Sequence, residues 1–358
     1  MLGGQYYLIA FILAVIVVWF TTPLINHWGR RAGYVDQPSA RKMHHRPMVR
    51  LGGVSIFLGS LVALLVVWNL GAFGTMSTKG EWEVWGVVLG GLAFFGIGLF
   101  DDLFDLSPFS RLLAQVAIAS VVWNMGVRID FFTLPFLGNL VYLDILSLPI
   151  TVIWLVGLAN AINWIDGLDG LAAGVCGIAA VVLFVLCLFM EQSEAALIAA
   201  AMAGGALGFL RYNFNPAQIF MGDGGAYFMG FTLGAVAVIG LVKVAAMATV
   251  AVTAVLLPYL VLAVPILDMS VVILSRVIKG KSPFKADKGH LHHRLINAGI
   301  SHRLTVLFIY ALTLWAGSLA LGFSNIPSGW GFAIGATLLL IYLGWQVWRN
   351  SRSVEEQD

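Results

Sequence analysis

The chain has 358 residues, 60% of them hydrophobic and 11% charged, with a formal net charge of +2. So apolar a composition excludes a soluble globular enzyme or a disordered segment, and a charge this close to zero gives no footing for nucleic acid as a partner. Cys176 and Cys187 stand in one predicted helix, too far apart along its axis for a disulfide bridge.

Apolar runs near 20 residues recur from end to end, the length an α-helix needs to cross a hydrocarbon core of roughly 30 Å. They predict an all-α, polytopic membrane bundle of about eleven spans, at 5–26, 53–70, 84–100, 109–125, 146–163, 171–190, 195–210, 226–242, 247–267, 304–323 and 329–348. Barrel-type alternation is absent, so a helical bundle is the form that satisfies every backbone amide in lipid. A single catalytic domain is expected over 1–349, with a polar cytoplasmic tail at 350–358. The first run, Gln5 to Asn26, has no basic segment before it and no small-residue cleavage site after it, and reads as a retained helix.

Between the first two spans lies a basic loop with Arg41, Lys42, His44, His45, Arg46 and Arg50, followed by Gly52-Gly53. It either fixes topology beside anionic lipid or binds phosphate. The third span ends in Asp101-Asp102-Leu103-Phe104-Asp105. As i,i+3 and i,i+4 neighbours these carboxylates repel, and a helix C-terminus disfavours them further, unless a divalent cation or a cationic partner joins them. The fifth span closes on Asn160, Asn163, Asp166 and Asp169, polar residues at three-residue intervals with Gly167 and Gly170 beside them. That spacing exceeds what a capped turn needs.

The connection from span seven to span eight, Arg211 to Gly225, sets Asp223 between glycines, a frame in which a metal or phosphate can come to ligand distance. Asp268, at the end of the ninth span, is either a helix-end residue or a supporting acid. Before span ten, Gly289-His290-Leu291-His292-His293-Arg294 follows Lys279, Lys281, Lys285 and Lys288. Histidines without thiolates among so many cations suit a phosphate better than zinc.

With eleven spans, one side of the membrane collects all Lys and Arg residues except Lys79, Arg128 and Lys243, out of 20. The positive-inside rule makes that side cytoplasmic, with the N-terminus outside and the C-terminus inside. All the acidic clusters and the histidines fall on the same side. Hard-cation ligands and anion-binding groups therefore meet at a membrane surface, the pairing that phosphoryl transfer to a lipid phosphate requires.

Five motifs in this order resemble the polyprenyl-phosphate N-acetylhexosamine-1-phosphate transferase superfamily: the Lys42 to Gly53 loop, Asp101 to Asp105, Asn160 to Gly170, Asn213 to Gly225, and His290 to Arg294. The resemblance implies Mg²⁺, with Mn²⁺ as an alternative, and attack by undecaprenyl phosphate on a UDP-N-acetylhexosamine with release of UMP. Asp101, Asp102 and Asp223 are then the catalytic and metal-binding acids. Lys42, His45, Asn163, Asp166, Asp169, Asn213, Phe220, His290, His292, His293 and Arg294 are the substrate-binding set, with Asp169 and Phe220 nearest the uracil. The implied location is a bacterial inner or plasma membrane with the site facing the cytoplasm, and a homodimer is left open.

Leu291 interrupts the three consecutive histidines of the branch that transfers phospho-MurNAc-pentapeptide, so the branch using UDP-GlcNAc is favoured. An ion-coupled transporter would place its acids near span centres in duplicated halves, and a zinc hydrolase would need His-Glu-x-x-His on a helix. The chain has neither pattern.

Overall fold

The computed structural model describes residues 3–37, 47–133, 140–242, 251–281 and 289–355. In chain order the helices are α1 (Gly4–Arg31), α2 (Gly52–Asn69), α3 (Thr78–Phe104), α4 (Pro108–Asn124), α5 (Ser147–Ile165), α6 (Leu171–Phe189) and α7 (Ser193–Asn213). There follow α8 (Gly222–Ala237), α9 (Ala251–Val261), α10 (Ala263–Ile278), α11 (Leu291–Asn297), α12 (His302–Phe323) and α13 (Gly329–Glu355). Among the described residues nine helices are long and apolar enough to cross a membrane, and the protein is a multi-pass membrane protein.

Two of the predicted spans are not among these nine. The fourth is α4, with 17 residues, at the short end of what spans a hydrocarbon core. The ninth is broken. Pro265 cannot donate to Val261 and its ring crowds that carbonyl, so the helix stops at Val261, Leu262 takes non-helical angles (φ −104°, ψ 20°), and α10 restarts and runs on to Ile278. Predicted to end at 267, this segment instead carries an amphipathic helix past that point: Asp268, Val272 and Arg276 face inward while Leu267, Val271, Leu274 and Ile278 stay exposed.

The centre of the bundle is α8, buried from Gly224 through the π turn Val238–Val242. Its sequence is mostly small residues, which let α2, α3 and α5 pack closely around it. The periphery is the reverse: Phe20, Leu113, Val121, Ile334 and Ile341 are exposed, as a lipid-facing surface requires. Two antiparallel hairpins cap the bundle. One pairs β1 (Val35–Asp36) with β2 (Met48–Val49), and the other pairs β3 (Phe131–Thr133) with β4 (Leu140–Tyr142). The β1–β2 hairpin sits at the end where α3 and α5 finish and α8 begins: Phe220 donates to the Val49 carbonyl and Gly52 donates to the Phe220 carbonyl.

Candidate active site

At that end the bundle opens into a cavity of about 380 Å³. Asp36, Arg50, Asn163, Asp166, Asp169, Asn213, Asn215, Phe220, Asp223, His293 and His302 line it. The core of the site is the junction of α3 with α8. Both Asp102 oxygens accept backbone N–H groups, Oδ1 from Asp223 and Oδ2 from Gly224, each at 3.0 Å. The acids that burden the C-terminus of α3 are thus stabilised by the positive N-terminus of α8. Such proximity requires glycine at 98, where a Cβ would overlap the Asp223 backbone, and at 222, which has φ +76°.

Asp223 stands at the focus. Asn163 Nδ2 donates to its Oδ1 at 2.9 Å, Arg50 Nη2 lies 3.4 Å from the same oxygen, and Arg111 Nη1 lies 3.4 Å from Oδ2. Arg50 also approaches Asp102 Oδ1, at 3.6 Å. Asp101 is buried; its Oδ2 is paired closely with Arg111 and its Oδ1 accepts the Leu106 N–H at 2.8 Å. Asp105 does not join the group. It is the exposed cap of α3, in the left-handed region at φ 51°, a conformation Asp tolerates.

On the opposite wall, Asp169 Oδ2 accepts from Asn215 Nδ2 at 3.1 Å and from the Ala217 N–H at 3.0 Å. Asn213 is buried and clamps two loops, accepting from the Gly170 N–H and donating to the Ile219 carbonyl. Arg303 donates to both the side chain and the backbone oxygen of Asn215. Burial pushes the Asp166 carboxyl up to about 7, with the charge of Asp223 adding to the shift and Arg50 opposing it.

The histidine motif divides between surroundings. His293 lines the cavity. His290 is buried against Asp268, 2.7 Å from Nδ1 to Oδ2, and the other Asp268 oxygen accepts the Leu291 N–H at 2.7 Å. Because an ionised carboxylate only accepts, Nδ1 is the protonated nitrogen of this pair. Asp268 is therefore a supporting acid. His292 packs its Nε2 edge onto Gly167; burial and then the neighbouring His293 lower its pKa to about 3, so it is neutral near pH 7. Arg294 lines a separate groove and not the cavity. Lys42 and His45 lie outside the described residues.

The sequence alone does not single out Arg111, Asn215, His302 and Arg303 as site residues. Arg111 opens the fourth span and reads there as a topological charge; nothing local announces its pairing with acids ten and more residues away. Asn215 falls inside the Asn213 to Gly225 motif without a role of its own there, and Arg303 stands nine residues past the histidine motif.

Among the described residues no three His, Cys, Asp or Glu side chains converge as a preformed metal cage. The donor chemistry nevertheless suits a hard cation. Asp101, Asp102 and Asp223 offer carboxylate oxygens of the kind a hard cation takes, and two guanidinium groups, those of Arg50 and Arg111, offset part of their charge.

Residues 84–241 match the family described as glycosyl transferase family 4. The chain is 37% identical over 305 residues to a probable undecaprenyl-phosphate N-acetylglucosaminyl 1-phosphate transferase of Bacillus subtilis, covering 85% of this chain and 81% of that protein. It is 36% identical over 330 residues to a decaprenyl-phosphate N-acetylglucosaminephosphotransferase of Mycobacterium leprae, covering 86% and 81%. To an undecaprenyl-phosphate alpha-N-acetylglucosaminyl 1-phosphate transferase of Haemophilus influenzae it is 29% identical over 362 residues, 97% and 95% of the two chains. Matched along most of its length and carrying Asp166, Asp169 and Asp223 in one cavity at an end of its helical bundle, this chain belongs to glycosyl transferase family 4, the polyprenyl-phosphate N-acetylhexosamine-1-phosphate transferases.

Proposed function

We propose that the chain transfers N-acetylglucosamine-1-phosphate from UDP-GlcNAc to undecaprenyl phosphate, releasing UMP and starting a lipid-linked cell-envelope glycan. The observation that carries this reading is the Asp102–Asp223 junction, set with Arg50 and Arg111 at the mouth of a polar cavity where spans end. The names of the relatives supply the sugar and the lipid.

An oxygen of the lipid phosphate attacks the β-phosphorus of the UDP-sugar, the bond from that phosphorus to the bridging oxygen breaks, and UMP departs with the electron pair. The second ionisation of a phosphate monoester lies near pKa 6, so the nucleophile is largely dianionic at neutral pH and needs little help from a base. The protein's task is alignment and charge neutralisation. Arg50 and Arg111 are placed to contact phosphate oxygens, and Asp101 holds Arg111 in position. Asp169, Asn213, Asn215 and Phe220 form the wall against which the nucleotide would lie. We propose Mg²⁺ as cofactor, with Asp223, Asp102 and Asp101 as its donors; when bound it would add charge neutralisation at the diphosphate.

We place this site on the cytoplasmic face, because the basic residues collect there. The test is UMP release by purified protein given Mg²⁺, undecaprenyl phosphate and a panel of UDP-sugars. Turnover with UDP-GlcNAc and loss of turnover in EDTA are expected. Turnover restricted to UDP-MurNAc-pentapeptide, or none with any UDP-sugar, would overturn the proposal.

A further inference from the structure

On the far side of α11 from the cavity, α10, α11 and α12 enclose a second site. It consists of two hollows of about 250 Å³ and about 240 Å³ that share Val271, Gly289 and Arg294. Successive helical residues point about 100° apart, which is how His293 faces the cavity while Arg294 faces this groove. The outer hollow carries Lys279 and Arg294; both are exposed, and neither forms an ion pair among the described residues. The inner hollow is apolar, walled by Leu267, Leu312 and Trp315. The one acid among its described lining residues, Asp268, already accepts from His290 and from the Leu291 N–H. Along its rim runs the exposed stripe Leu267, Val271, Leu274 and Ile278 of amphipathic α10, the kind of helix that lies at a bilayer interface.

We infer that this groove is a binding site for a resident anionic phospholipid, with Lys279 and Arg294 holding the headgroup phosphate and an acyl chain seated against Leu312 and Trp315. Two cations and an apolar slot in continuity match a molecule that is charged at one end and hydrocarbon at the other. The groove shares no lining residue with the cavity that Asp223 lines, which separates this lipid from the acceptor whose phosphate must reach the cavity. The inference rests on the membrane fold alone, so its failure would leave the transferase reading intact.

The test uses the full chain in mild detergent, with dioleoylphosphatidylglycerol and dioleoylphosphatidylcholine as probes, lipid retention being read by native mass spectrometry. Wild-type protein should retain phosphatidylglycerol at least tenfold better than phosphatidylcholine. The Lys279→Gln/Arg294→Gln double variant should lose at least tenfold, and excess undecaprenyl phosphate should not displace the bound lipid. Leu312→Trp, which fills the slot and leaves both cations in place, should cause a comparable loss and decides the matter alone if the double variant does not fold. Equal retention of the two phospholipids, unchanged retention in Leu312→Trp or in a folded double variant, or one-for-one displacement by undecaprenyl phosphate would each overturn the inference; the last would give the groove to the acceptor's tail.

Discussion

Asp105 and Asp223 differ in what their loss removes, although both stand in acidic motifs of the sequence. Asp223→Ala removes the carboxylate on which Asn163, Arg50 and Arg111 converge, so turnover should fall at least about 100-fold while the helical circular dichroism persists. A variant rate within threefold of wild type would refute its role. Asp105→Ala, altering an exposed residue outside the group, should change the rate less than threefold in the same assay. Asp166 gives a pH prediction. Its carboxyl titrates near 7 in the folded protein against 3.8 as its ordinary value, so between these values the native state binds more protons than the unfolded one and stability falls as pH rises. Melting of metal-free protein in EDTA should accordingly show a midpoint that declines from pH 5 to pH 7.5. Asp166→Asn, which cannot ionise, should flatten that decline; an unchanged slope would show that another group sets it.

The contact of α3 with α8 is where element packing becomes chemistry, and it yields a paired prediction within one helix. A Cβ at Gly98 would overlap the Asp223 backbone, whereas one at Gly96 meets nothing within 4 Å. Gly98→Ala should force the two helices apart, costing about 1–3 kcal/mol by overpacking and stretching the Asp102 hydrogen bonds to the N-terminus of α8, so activity should drop more steeply than stability. Gly96→Ala should be neutral or slightly stabilising, since alanine is the better helix former; equal effects in thermal melts and UMP release would refute this account of the junction. The elements themselves were legible in the sequence because hydrocarbon thickness selects for length, and helices α1 to α8, α12 and α13 fall where the apolar runs fall. The break at Leu262 was legible only in part. Pro258 and Pro265 are visible in the sequence, but apolarity alone does not register a lost hydrogen bond, and the amphipathic continuation to Ile278 follows from that break.

For the whole molecule, the sequence put the acidic motifs and the histidines at one end of the bundle, and the structure gathers Asp102, Asn163, Asp169, Asn213, Asp223 and His293 there. It could not show which motif members turn inward. Asp105, Arg294 and His292 belong to recognised motifs yet face solvent, a separate groove and Gly167 respectively, because those directions are set by helix phase and by packing partners distant along the chain. Nor could it show that Arg111, at the start of α4, reaches two acids at once. Which compartment the gathered end faces is argued from charge alone. Lys and Arg resist translocation, and the eleven-span reading of the sequence puts all but three of them on the side that carries the acidic motifs. Single-cysteine labelling of intact cells tests this directly, because Cys176 and Cys187 are buried and should stay silent. Asp105→Cys, at the site end, should react only with a membrane-permeant thiol reagent, whereas Arg128→Cys, which is exposed beyond the far end of α4, should react with an impermeant one. The reverse pattern would turn the site outward, away from any cytoplasmic sugar nucleotide, and reaction of both positions with the impermeant reagent would mean that the two ends of α4 share a compartment, leaving that helix unable to be a span.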